Sequence, residues 1–527
     1  MTTSILAAFR ATANADCERP MLVYFDAVLT YGDIDRLSDG FAVALSDQGF
    51  GRGDRAALYL QNVPQYVIAL LAVWKLGGIA VAINPMLTPG EVAKLLADST
   101  PQVMLALDEL HSDALAEVLT DSSVGRVITT SALDWRAGGD GRVESSARIR
   151  APSGAEDFAQ LVRASQGRVP PLCDVTADDV AVITYTSGTT GAPKGAMNTH
   201  RNVVTGGFAY RDWFDLGSDD VVLGVAPLFH VTGLTGHIAA TIAAGSSLVL
   251  TYRFDVDSVI DVIQRCKTTF TVGAITVFIA LANATEVRPG DLRTLTKVAS
   301  GGAPVSPAIA EEFQRRFGIY IHNVYGMTET TSPVLAVPLG AKAPVGAETG
   351  ALSVGVPMLS AKVVVLDDQG TPLPAGELGE LAVAGPQIVP GYWRNESATE
   401  DAIRDGWLHT GDVGYVDGDG WYYLVDRKKD MIIASGYKVW PREVEDVLYT
   451  HKAVLEAAVI GHPDPYRGET VIAYVSLREG VSLHPSELVE YCRSRMAVYK
   501  CPREVAIVDV IPKTATGKIL RRSMREK

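Results

Sequence analysis

The segment Tyr185-Thr186-Ser187-Gly188-Thr189-Thr190-Gly191-Ala192-Pro193-Lys194-Gly195 follows directly on the apolar run 180–184. Its glycines let backbone N–H groups close around an anion, its aliphatic hydroxyls add donors, and Lys194 adds a positive charge. That combination is a phosphate cradle. It does not satisfy G-x-x-x-x-G-K-[ST], because Pro193 precedes Lys194 and Gly195 follows it, so a Walker-type NTPase is disfavoured. A lone glycine loop is more often a surface turn. A run of this length and composition behind a buried strand reads instead as a phosphate or nucleotide site.

Further motifs follow in order: Ser300-Gly301-Gly302-Ala303-Pro304, Tyr325-Gly326-Met327-Thr328-Glu329, Gly411-Asp412, Asp426-Arg427-Lys428-Lys429-Asp430 and Pro512-Lys513-Thr514-Ala515-Thr516-Gly517-Lys518. Together with the loop they resemble the acyl-adenylate-forming superfamily over almost the whole chain. That superfamily contains acyl-CoA synthetases, peptide-synthetase adenylation domains and beetle luciferases. The resemblance implies that ATP converts a carboxylate, a poor electrophile, into a mixed anhydride with AMP as leaving group. It assigns Thr186, Ser187, Gly188, Thr189, Thr190, Gly191 and Lys194 to the phosphates, and Gly302, Ala303, Pro304, Gly326 and Met327 to the nucleotide pocket. Tyr325 would pack on adenine, Thr328 would reach the α-phosphate, and Glu329 would hold Mg²⁺, which favours one or two carboxylates plus phosphate oxygens. Asp412, in a glycine-flanked turn, would take the ribose hydroxyls with help from Arg427. Lys518 would neutralise the carboxylate and α-phosphate as pentavalent phosphorus forms. Lys429 matches the family's hinge, and Ser435-Gly436-Tyr437 matches the face that meets coenzyme A, where glycine leaves room for pantetheine.

The acid is narrowed by Pro227-Leu228-Phe229-His230-Val231-Thr232-Gly233. Amino-acid activators in the family carry Asp where His230 stands, so no anion awaits an ammonium group. His230 reads as a pocket wall or gate, with Val231, Gly301 and Val324 as apolar lining. An uncharged acyl group is expected, most simply a medium- or long-chain fatty acid, with an aryl acid or a steroid side-chain acid as alternatives. Coenzyme A is favoured over a carrier protein, since no carrier segment follows Lys527. The expected co-substrates are thus ATP, Mg²⁺ and CoA, and the family leaves room for a homodimer.

These residues need a scaffold. Helical and strand patterns alternate over 33–107 and again over 221–325, with Thr88-Pro89-Gly90-Glu91 opening a helix as a capping box, and this grammar means parallel sheet covered by helices. Residues 131–174 are polar and weakly patterned. After Gly340, short strands at 361–366, 380–384, 413–416 and 421–425 form a β-rich unit, and an α+β segment follows the charge cluster 426–430. The expected fold class is therefore α/β: a large N-terminal domain, 1–428, of two α/β lobes and a small β-rich subdomain, with a small mobile α+β C-terminal domain, 429–527.

Composition excludes other classes. The 527 residues carry 47 basic and 61 acidic side chains, a net charge of −14, with no basic run suited to nucleic acid. From Lys429 onward, however, 16 basic residues outnumber 13 acidic ones, a slightly basic cap on an acidic body. Cys17, Cys173, Cys266, Cys492 and Cys501 show no paired spacing, which fits free thiols in a reducing compartment. The apolar stretch 66–87 is broken by Lys75, Gly77, Gly78 and Pro85, so no transmembrane segment is expected. With no export signal at the start, a cytoplasmic protein is expected.

Overall fold

The computed structural model describes residues 3–135, 154–186, 193–303, 305–347, 349–427, 430–434, 437–464, 468–514 and 517–525. Ser187, Gly188, Thr189, Thr190 and Gly191 of the glycine loop, Pro304, Lys429, Ser435 and Gly436 lie outside them, as does the boundary expected at 428/429.

The two lobes expected from the alternating pattern are present. The first is a seven-stranded sheet in the order Glu156–Asp157, Arg126–Thr130, Val103–Leu107, Arg55–Tyr59, Ile79–Ala82, Val180–Thr186, Lys194–Thr199, parallel except for the last pair. The second is a nine-stranded sheet whose centre runs Ile321–Met327, Lys297–Ser300, Phe270–Gly273, Val221–Gly224, Ser247–Leu250. Its far edge is made by the chain's first hairpin, Pro20–Tyr24 and Ala27–Thr30, with Pro20–Tyr24 lying parallel to Ser247–Leu250. The sequence pattern assigned that hairpin to no element. Its pairing is with residues more than two hundred positions away, which local periodicity cannot register.

Helix Pro64–Lys75 is buried along its whole length and packs in a core to which both lobes contribute, including Leu58, Ala80, Val203, Tyr210, Val222 and Leu248. A helix apolar on all faces belongs between layers rather than on a surface. Its one cation, Lys75, is neutralised by Asp35 and Asp39, each at 2.6 Å, as burial of a charge requires. The capping box at Thr88 and Glu91 forms as its spacing predicts. The expectedly unpatterned stretch 131–174 contains helix Phe158–Ala164, which packs on Tyr31–Ser46.

The β-rich subdomain is the antiparallel sheet Lys362–Leu366, Gly379–Ala384, Trp407–Val416, Tyr422–Arg427. The C-terminal sheet joins Tyr437–Val439, Ile432–Ala434, Gly468–Leu477, Val454–Asp464 and Glu504–Ile507, backed by helices Pro441–Tyr449 and Pro485–Arg493. Several strands exceed their apolar cores. Val454–Asp464 extends to polar ends because the antiparallel ladder with Gly468–Leu477 binds backbone irrespective of side chain. Among the described residues no helix is long and apolar enough to cross a membrane.

Candidate active site

Both lobes, the β-rich subdomain and the C-terminal part contribute walls to one cleft of ≈1340 Å³. The glycine loop is flanked by two strands that pair directly, Thr186 opposite Lys194. The sequence pattern gave the first strand and missed the second, since Lys194–Thr199 is short and mixed in polarity. Both flanking residues line the cleft.

Gly326 lets the next segment in. A Cβ there would lie 1.8 Å from the Ser332 carbonyl, so only glycine allows strand Ile321–Met327 to turn back against Ser332–Ala336. The turn carries Thr328 and Glu329 in a 3₁₀ element, and Asn198 Nδ2 donates to the Thr328 carbonyl at 3.2 Å. Glu329 is 7% exposed, and its Oε1 accepts from Tyr392 Oη at 2.7 Å. The Tyr392 ring also lies under Lys194, whose Nζ is 5.1 Å from the ring centroid. Tyr392 is the residue that sequence reasoning missed. It reaches the site because Gly391–Trp393 bonds to the Lys194–Thr199 strand, through Met197 N to Gly391 O and Trp393 N to Gly195 O. An aromatic after Pro-Gly in a β-rich segment carries no spacing signal for that role.

Among the described residues Glu329 has a phenol as its only side-chain partner and no ion pair. A buried carboxylate so placed, lining the same cleft as Thr186 and Lys194, fits a divalent cation that completes its shell with phosphate oxygens of a bound nucleotide.

Asp412 was expected in a turn. It lies within strand Trp407–Val416, directly opposite Arg427 on Tyr422–Arg427. Gly411, at φ +70°, kinks the strand without ending it, because partners on both sides keep the ladder going. Arg427 Nε meets Asp412 Oδ1 at 3.2 Å, and Tyr325 Oη donates to Oδ2 at 2.7 Å. Tyr325 is buried, and burial followed by the Asp412 charge pushes its phenol well above the ordinary value. Gly301 and Gly302 line the cleft, whereas Ala303 packs towards the core of the second lobe.

Lys518 enters from the C-terminal part on a tight hairpin, with Thr514 N bonded to Lys518 O at 2.7 Å and Gly517 N to Thr514 O at 2.9 Å. Gly517, Lys518 and Thr514 line the same cleft as His230, Val231 and Val324. His230 caps the short helix Val231–Gly233 through Nδ1. Burial, with a smaller contribution from the Lys518 ammonium, pushes its imidazole down to about 4, so it is neutral at pH 7. Tyr437, by contrast, is 57% exposed, stacks on Tyr499 at 4.7 Å and lies off the cleft.

The order of these elements is shared with known proteins. Residues 9–393 match the AMP-binding enzyme family and residues 443–518 match the AMP-binding enzyme C-terminal domain. This chain belongs to the AMP-binding enzymes. A long-chain-fatty-acid–CoA ligase of Bacillus subtilis (strain 168) is 35% identical over 97% of this chain and 92% of its own. A feruloyl-CoA synthase of an Amycolatopsis species is 36% identical over 95% of this chain and 94% of its own. The crystal structure of the anthranilate CoA ligase AuaEII with anthranoyl-AMP superposes with a TM-score of 0.90 at 25% identity, covering 100% of this chain and 97% of that one. This AMP-binding enzyme is accordingly an acid–thiol ligase.

Proposed function

We propose that the protein joins an uncharged carboxylic acid, foremost a medium- or long-chain fatty acid, to coenzyme A through an acyl-adenylate, releasing AMP and pyrophosphate. The observation that carries this reading is the convergence of Lys518, His230 and the Thr328–Glu329 turn on one cleft. Lys518 balances charge on the substrate carboxylate and the α-phosphate as they meet. Neutral His230 closes the acyl side without offering an ion to an amine. Lys194 and Thr186 hold the outer phosphates, Thr328 the α-phosphate, and Asp412 with Arg427 the ribose. Glu329 would hold Mg²⁺, which supplies charge neutralisation at the phosphates.

After adenylation the C-terminal part, 429–527, turns about Lys429. Lys518 withdraws and the Ser435–Tyr437 segment arrives for thiol attack. The exposure of Tyr437 away from the cleft is consistent with a face awaiting that turn. An aryl acid is the second reading, favoured by the similarity to a feruloyl-CoA synthase.

The test is pyrophosphate release from ATP, CoA and a panel of straight-chain and aryl acids. AMP and pyrophosphate are expected with at least one class. ADP as product would overturn the mechanism, and turnover only with a phosphopantetheinylated carrier protein would overturn the acceptor.

A further inference from the structure

The acyl side of the cleft is walled by Val225, Phe229, Val231, Val272 and Val324, yet it includes two buried hydroxyls. Tyr210, on helix His200–Trp213, is 1% exposed, and Ser332 is 6% exposed. Tyr210 Oη and Ser332 Oγ lie 3.1 Å apart, and among the described residues neither hydroxyl has another hydrogen-bonding partner. Two hydroxyls carry two protons, and one bond uses one of them. Whichever donates, among the described residues a second O–H is left without a protein acceptor, on the wall of the cleft where a ligand can reach it. Water can meet that O–H in the empty cleft, but an acid that displaces the water must supply an acceptor or leave the group unsatisfied at a free-energy cost.

The pair is held deliberately. The Tyr210 ring is fixed among Phe214, Phe270 and Val272, and a Cβ on Gly236 would lie 3.3 Å from the ring and 2.4 Å from Val272 Cγ1. Ser332 stands at φ +83° after Thr331 at φ +50°, a conformation that non-glycine residues rarely adopt. Strain of this kind persists where the surroundings over-determine it, and it clusters at functional sites. Both residues are less solvent-exposed than His230, which lies near Lys518.

We infer that the Tyr210–Ser332 pair reads a neutral oxygen on the body of the acid. The preferred substrates are acids bearing a hydroxyl, ether or carbonyl oxygen away from the carboxylate, on a chain or on a ring. This rests on the ligase reading above and narrows its substrate class. A plain hydrocarbon acid leaves the spare O–H unsatisfied, and sites built to bond a substrate oxygen discriminate strongly against analogues lacking it.

The experiment compares kcat/KM for matched acids: cinnamate against 4-hydroxy- and 4-methoxycinnamate, and decanoate against hydroxy- and oxodecanoates. Pyrophosphate release is the readout. In the wild type the oxygenated member of at least one series should be favoured about 10-fold or more, and the winning series separates ring from chain. Tyr210→Phe and Ser332→Ala each leave one hydroxyl and should retain part of the preference. The double variant should abolish it, mainly through KM. Equal or inverted preference in the wild type, or a double variant that keeps the wild-type ratio, overturns the inference. Absence of turnover with every acid overturns the ligase reading instead, so the two failures are distinguishable.

Discussion

Gly517 precedes Lys518 at φ +78°, and a Cβ at this position would lie 2.3 Å from Thr276 Oγ1, 3.2 Å from the Ala274 Cβ and 3.6 Å from the Thr276 Cβ. Gly517→Ala therefore has two separable consequences. The left-handed conformation costs an alanine about 1–2 kcal/mol, but that strain belongs to the hairpin whether or not it is docked, so it lowers stability rather than selecting between orientations. Under the proposed rotation, the contact with Thr276 exists only when Lys518 is in the cleft. Overpacking of this kind costs about 1–3 kcal/mol, which at 1.4 kcal/mol per decade slows adenylation roughly 5- to 150-fold. Rapid-quench measurement of pyrophosphate release should show that loss. Thioester formation from supplied acyl-AMP and CoA should be spared, because that step does not need the docked hairpin. Adding Thr276→Ala removes the 2.3 Å contact and should restore most of the rate, while Thr276→Ala alone should be close to neutral. A Gly517→Ala enzyme that adenylates at the wild-type rate, or a loss that Thr276→Ala fails to repair, would refute the steric account.

Lys518→Ala should slow adenylation on the order of 10²-fold or more while sparing the second half-reaction, read by the same two assays. Arg478 of the C-terminal part bonds Glu312 at 3.2 Å and Asn283 at 2.6 Å across to the second lobe. These side chains are about a third exposed, so Arg478→Ala should cost adenylation only about two- to five-fold and leave thioester formation unchanged. Burial pushes His200 and His237 down to about 4, alongside His230. Between about pH 6.5 and 4 the unfolded chain therefore binds more protons, and their contribution to stability, complete above the unfolded value, is lost as pH falls. Burial raises Asp426 to about 6 and Asp446 to about 7, which acts in the opposite direction. The informative quantity is thus the difference between wild type and His237→Gln, a variant that keeps an acceptor for the Ala226 N–H. Denaturant titrations should give the variant a shallower loss of stability below pH 6.5, and parallel curves would contradict the burial argument.

Elements whose burial repeats with a regular period were legible in the sequence. Helices such as Val256–Cys266 and Pro307–Phe317, and strand Ser247–Leu250, fall where the apolar pattern puts them. What escaped was set by partners distant in the chain. The first hairpin finds its strand at Ser247–Leu250, Lys194–Thr199 is a strand only because Val180–Thr186 returns against it, and Asp412 is drawn from a glycine-rich turn into a ladder. The site followed the same rule. Glu329, Lys518 and His230 carried motif signals, whereas Tyr392 and the Tyr210–Ser332 pair became visible only when separate segments met.

The Asp412–Arg427 pairing also concerns a place with no chemistry of its own. Both residues hang from one hairpin, closed by Asp417, whose Oδ1 accepts from Asp419 N and Trp421 N. Side chains alternate along a strand, so a slip of one residue at that closure would turn Asp412 or Arg427 to the opposite face. A slip at that closure would also turn the apolar side chains of both strands over, so the Asp412–Arg427 pair and the buried face of the sheet are held by the same register. The hairpin tip is a spelling constraint on the active site, imposed from its far end.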